Sequence, residues 1–169
     1  MLADQVTHIG AVDRFTLEAL SAADAPAIAG HLKRLAEVDR YSRFFSAMSD
    51  DGIDRYVDGF DWSRMIATGL YLDDTLIGLA ELGWSAGGGP ESAELAVTVD
   101  SAFRHRGIAG WLVKEAFRRA RMSGVRQIEA SWIGGNDSIA KIMRRHDARI
   151  WLAGSHWRGT APIGETVSG

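Results

Sequence analysis

Between Ala93 and Met122 the chain changes its apolar period, and few folds accommodate that change. Residues 93–99, AELAVTV, alternate as a strand does, with Glu94, Ala96 and Thr98 on one face and Leu95, Val97 and Val99 on the other. Residues 108–122 instead place Ile108, Leu112, Ala116 and Ala120 on one helical face, and the pattern stops before Gly124. The junction, DSAFRHRG, is rich in Arg and closes on Gly107. A strand that passes through a short basic loop into a long helix predicts layered sheet and helices, and it leaves the first N–H groups of the helix without intrahelical acceptors. The helix dipole adds about half a positive charge, and Gly107, Ala109 and Gly110 let a ligand come close, so the segment reads as a pyrophosphate seat.

The flanking segments supply the rest of the sheet. RFTLEAL, 14–20, reads as a strand, and Ser21, Asp24 and Pro26 mark a helix entrance before Ile28, Leu32 and Leu35. Ser49, Asp50 and Asp51 open a second helix with Ile53, Tyr56, Val57 and Phe60. The runs 64–72 and 75–84 form a hairpin around Asp73-Asp74, and the turn 85–90 leads into 93–99. Strand 126–133, helix 137–146 and a last strand or hairpin at 148–157 follow. The expected fold is α/β (α+β), a mixed, mostly antiparallel sheet of 6–7 strands flanked by about four helices on both faces. One domain is expected over 13–158, with 159–169 a frayed tail.

Composition excludes several classes. With no Cys, thiol nucleophiles and thiolate metal sites are absent. His8, His31, His105, His146 and His156 show no paired ligand spacing, so no metal is expected. No basic stretch leads into an apolar one at the start and no long apolar run occurs, which predicts a cytoplasmic protein with no membrane partner. Residues 1–100 carry a net charge of −10 and residues 101–169 a net charge of +7. The basic half suits phosphates, and the acidic half suits a cationic co-substrate or a solvated surface. No aromatic-basic interleaving points to nucleic acid. The Gly-Lys-Ser/Thr string of a nucleotide P-loop is missing, and the seven residues from Asp100 to Arg106 separate strand from glycines, against a dinucleotide fingerprint.

The junction resembles motif A of the GNAT superfamily of N-acetyltransferases, Gln/Arg-x-x-Gly-x-Gly/Ala, through Arg104, Gly107 and Ala109. SRFF at 42–45, DGFDW at 58–62 and AELAVTVDSAFRHRGIAGWL look like the acetyltransferase domain of bacterial protein-lysine acetyltransferases. The resemblance implies that Arg104, His105, Arg106, Gly107, Ile108, Ala109 and Gly110 hold the pyrophosphate of acetyl-CoA, and that Asn136 faces its pantetheine arm. Main-chain donors at Val97 or Val99 are implied for the thioester oxygen. It also implies that Glu94 is the general base, with Glu81 on the adjacent strand the second candidate and Glu91 a weaker one.

One position departs from the pattern. Met143 stands where many members carry a Tyr, and Asp147-Ala148 replaces Gly-Phe, leaving water, His146 or no acid at all for the departing thiolate. His146 otherwise reads as a helix-end residue whose charge suits the dipole. Trp132 and Trp151 read as core, whereas Trp62 and Trp84 are candidates to wall an acceptor cleft. The implied function is direct acetyl transfer from acetyl-CoA to a primary amine of a protein lysine or a small molecule. The alternative is an acyl-CoA-binding sensor without turnover. A homodimer through the terminal strands stays open.

Overall fold

The computed structural model describes residues 14–87 and 91–164. Seven strands and five α-helices follow in the order β1 (Phe15–Leu20), α1 (Ala25–Arg34), α2 (Glu37–Phe44), α3 (Asp50–Asp58), β2 (Met65–Leu72), β3 (Thr75–Gly83), β4 (Ser92–Val99), α4 (Ile108–Met122), β5 (Gln127–Ile133), α5 (Asp137–Arg145), β6 (Arg149–Ala153) and β7 (His156–Pro162). The strands form one sheet in the order β1-β2-β3-β4-β5-β7-β6. Every neighbouring pair is antiparallel except β4 and β5, which α4 connects in parallel.

Local chemistry sets the element ends. Ser21 and Asp24 form a reciprocal capping box ahead of α1, and Ser49 Oγ accepts the Gly52 N–H at the start of α3. Asp73 takes φ 50 in the β2–β3 turn, a left-handed conformation that short acidic side chains tolerate. One face of the sheet packs Leu20, Leu76 and Leu79 against Ile28, Leu32, Ile53 and Val57 of α1 and α3. The other packs Leu70, Ile77 and Leu95 against Ile108, Leu112 and Val113 of α4 and Ile139 and Met143 of α5. Both faces are thus covered, as a core of this size requires.

Three expectations need correction. Residues 159–162 are not frayed: they belong to β7, paired with β5 through Pro162, while 165–169 and the predicted turn residues 88–90 lie outside the described residues. Residues 37–44 form a helix, α2, that the apolar pattern did not signal, because it buries no residue in the core. Trp151 is 38% exposed on the edge strand β6, unlike Trp132, which is buried.

Candidate functional site

The site is built where β4 and β5 part. Their register runs only from Ser92–Gln127 to Leu95–Ala130, after which neither strand pairs with the other. β4 nevertheless keeps β3 through Val99. Arg126 and Gln127 donate to the Glu91 carbonyl on the β5 side, and the Asp100 N–H donates to the Ile77 carbonyl on the β3 side. With a strand period of two, the main-chain groups of Leu95, Val97 and Val99 face β5. Beyond Leu95 they face an open gap.

A cavity of about 750 Å³ extends from this gap to the N-terminus of α4. Its floor is residues 94–99, and its walls come from α2, the 103–110 segment and the start of α5. His105 at φ 62 and Gly107 at φ 78 curl the loop, and the first α4 bond runs from the Trp111 N–H to the Gly107 carbonyl. The N–H groups of Ile108, Ala109 and Gly110 precede that bond and carry the positive end of the helix dipole to the cavity. Arg104 and His105 line it, and Asn136 enters at the head of α5 without capping the helix. Arg106 does not: its guanidinium sits 5.5 Å over the Phe103 ring.

Arg104 also makes an ion pair with Asp39 of α2, a partner not visible in the sequence. Two further cations, Lys141 and Arg145, reach the cavity from α5. Their spacing of four residues puts them on one helical face, a signal that only gains meaning once α5 is placed beside the gap.

A second cavity, also about 750 Å³, opens on the α3 side at the beginning of β4. Phe60, Asp61, Arg64 and Trp84 wall it, whereas Trp62 packs on Phe60 at a ring distance of 5.6 Å. The two cavities share Arg43, Glu94 and Ala96. Glu94 is exposed, and its carboxylate has neither a hydrogen-bond nor an ion-pair partner among the described residues. In register it lies between Gly83 of β3 and Glu129 of β5. Glu129 is held by Ser92 Oγ at 2.9 Å and by Arg158 at 3.1 Å.

Glu81 is placed differently. It is buried, with Oε2 accepting from Arg43 Nη2 at 2.8 Å and Oε1 accepting from the Tyr56 hydroxyl at 2.9 Å. Burial opposes the Arg43 charge, but Glu81 and Tyr56 more than restore it and hold the guanidinium above its ordinary range. Burial and the adjacent Glu81 carboxylate push the Tyr56 phenol well above the usual value. Glu81 thus spends both oxygens on a buried cluster, a pairing across 38 residues of sequence.

The position where a Tyr is usual and the His146 weighed as thiolate acid both lie away from the gap. Met143 is fully buried in the core. His146 caps the end of α5 as expected; it stacks on Phe117 at 4.0 Å, and burial there holds its pKa below the ordinary imidazole value. The acidic face around α3 is largely neutralised, Asp50 by Arg40, Asp54 by Lys33 and Asp61 by Arg64. Among the described residues no group of three or more His, Cys, Asp or Glu is placed to hold a metal ion, and no helix is long and apolar enough to cross a membrane.

The fold is shared with solved structures of GNAT acetyltransferases. The GNAT domain of Streptomyces lividans PAT superposes with a TM-score of 0.73 at 17% identity, covering 86% of this chain and 89% of that one. YncA of Salmonella typhimurium, provisionally called an acetyltransferase and solved with acetyl-CoA, gives 0.70 at 14% identity over 91% of this chain and 96% of its own. The PaiA N-acetyltransferase of Thermoplasma acidophilum, solved with coenzyme A, gives 0.62 at 17% over 88% and 98%. YwnH of Bacillus subtilis, provisionally named a phosphinothricin acetyltransferase, is 31% identical over 61 residues, 36% of this chain and 37% of that relative. The acetyltransferase (GNAT) domain family matches residues 14–149, and the chain belongs to that family.

Proposed function

We propose that the protein is an acetyl-CoA-dependent N-acetyltransferase that transfers the acetyl group directly to a primary amine, with Glu94 as general base. The observation that carries this reading is the meeting of the two cavities at Glu94 and Ala96, where β4 loses its β5 partner. The larger fit is chemical. Unpaired N–H groups of residues 108–110, with Arg104 and His105 beside them, match the oxygens of a pyrophosphate, and Asn136 and the main chain of Val97 and Val99 match an extended polyamide arm.

Acetyl-CoA supplies the acyl group already activated as a thioester. The free main-chain N–H groups at Val97 and Val99 are aimed into the gap, where one of them stabilises the developing oxyanion. Glu94 takes the proton of the attacking amine, directly or through one water. An alkylammonium with a pKa of about 10.4 costs roughly 4 kcal/mol to deprotonate at neutral pH, so an unpaired carboxylate at the junction matters. A thiolate of pKa about 8.5 leaves without a dedicated acid, consistent with a buried Met143 and a His146 engaged by Phe117.

Glu81 supports the site without accepting the proton, since a proton on it would break the contacts from Arg43 and Tyr56. Acceptor amines, whether small or borne on a protein lysine, enter through the cavity walled by Phe60 and Trp84.

The test is free-thiol release from acetyl-CoA with a panel of amines and lysine-containing proteins. Glu94→Gln is expected to lower kcat/KM by about 10²- to 10⁴-fold while leaving coenzyme A binding intact. Binding without turnover on any amine points to the sensor reading instead, and full activity of Glu94→Gln removes Glu94 as the base.

A further inference from the structure

Residues 96–99 border the gap and are held by β3 alone, half the main-chain support of an interior strand. A buried polar chain braces this half from the α1 side. His31 has no exposed surface, and its Nε2 lies 2.8 Å from Thr98 Oγ1. Its Nδ1 lies 2.8 Å from Asp100 Oδ1, a short contact bent off the hydrogen-bond axis, and neither of those atoms has another hydrogen-bond partner. Arg34 Nη2 reaches Asp100 Oδ2 at 3.2 Å and also donates to the Leu76 carbonyl. The end of α1, the start of β3 and the end of β4 are therefore joined just before the turn that leads into the 104–107 loop.

An imidazole, a hydroxyl and a carboxylate are costly to bury, and filling a core among Ile28 and Leu32 does not require them. What they add is direction, because hydrogen bonds fix orientation where apolar packing does not. Thr98 is the residue between Val97 and Val99, and Asp100 follows the strand, so His31 is hydrogen-bonded to the middle of the segment whose N–H groups face the gap and lies against the residue that leads out of it.

We propose that His31, with Thr98 and Asp100, is a positioning device that holds the unpaired half of β4 and the loop after it in register for the acyl-CoA ligand. The inference rests on the reading of the β4–β5 cavity as the acyl-CoA site. Asp100, His31 and Thr98 stand in the order of a nucleophile relay. His31, however, lies on the α1 face without access to either cavity, and the Thr98 hydroxyl is turned to it. The group therefore orients main chain and forms no covalent intermediate.

Thr98→Val keeps the β-branched shape and removes only the hydroxyl; Thr98→Ser keeps the hydroxyl; His31→Gln removes the link to Asp100. Measured with intact protein, Thr98→Val is expected to raise the Kd for coenzyme A and the KM for acetyl-CoA about five- to tenfold, the worth of one ordinary hydrogen bond. The amine KM stays within about twofold, kcat falls by a similar five- to tenfold because one of the Val97 and Val99 N–H groups holds the oxyanion, and Thr98→Ser restores the wild-type values. His31→Gln, if folded, shifts the same two constants; if it does not fold, the two Thr98 variants decide.

A Thr98→Val protein with a lowered Tm but unchanged coenzyme A affinity makes the network merely structural and overturns the proposal. Acyl-Thr98 found by mass spectrometry after incubation with acetyl-CoA alone overturns it in favour of nucleophilic chemistry. A wild-type protein that does not bind coenzyme A at all fails at the earlier step, the assignment of the cavity, and takes this inference with it.

Discussion

Asp39 shows how a single side chain sets the charge of the ligand-facing loop. Arg104 is paired with Asp39 of α2, so a phosphate at the proposed site would compete for the same guanidinium. Asp39→Asn is expected to tighten coenzyme A binding by up to ~1 kcal/mol, about fivefold, at low ionic strength, since exposed ion pairs are worth that much at most. Titration calorimetry at low and high salt checks this, and the gain should shrink as salt screens the site. The sequence marked Arg104 as a phosphate ligand because Arg and Gly cluster before a helix. It said nothing of Asp39, 65 positions away, because nothing in a helix period reveals which loop a side chain will meet. Glu81 was legible only as an acid on the neighbouring strand; its ion pair with Arg43 and the hydrogen bond it accepts from Tyr56 depend on two helices converging on β3.

Among the elements, β4 with α4 was the most legible, since a period of two giving way to 3.6 across a Gly-closed loop has one simple reading. α2 was the least. Its Val38 and Tyr41, with Phe45 just after it, face the cavity instead of the core, so the stripe that announces a packed helix is missing. β7 was misread for a different reason. Gly159 and Pro162 look like breakers, yet a Cβ on Gly159 would stand 3.1 Å from the Trp132 ring, and Pro162 merely ends the strand. α4 also carries a measurable electrostatic contribution: hydrogen bonds from Arg118 and Arg119 hold the Glu115 pKa at about 2, below its usual 4.5. A depressed carboxylate stabilises the fold at pH values above 4.5, and that contribution disappears as pH falls from 4.5 toward 2. Glu115→Gln is expected to lower Tm at neutral pH, and the difference from wild type should close over that acidic window in a series of thermal melts.

For the whole molecule, ligand binding and stability are linked through the gap. A ligand held by 108–110 at one end and by Val97 and Asn136 along its arm touches α4, β4 and α5 together. Coenzyme A at about a hundred times its Kd is expected to add ~2.7 kcal/mol, which for a domain of this size raises Tm by about 5–10 °C. Differential scanning fluorimetry reads this directly, and an unmoved Tm at saturating coenzyme A counts against the cavity assignment.

The parting of β4 from β5 also gives this open sheet, whose outer edges are β1 and β6, a third strand edge in its middle. Free edges on the outside of a sheet recruit foreign strands and are a route to aggregation. This one has α2 packed against β4 and β5 and shares its cavity with α5, so it is covered where an outer edge is not. The sheet is left one strand short there, a place that the extended polyamide arm of the proposed ligand would take.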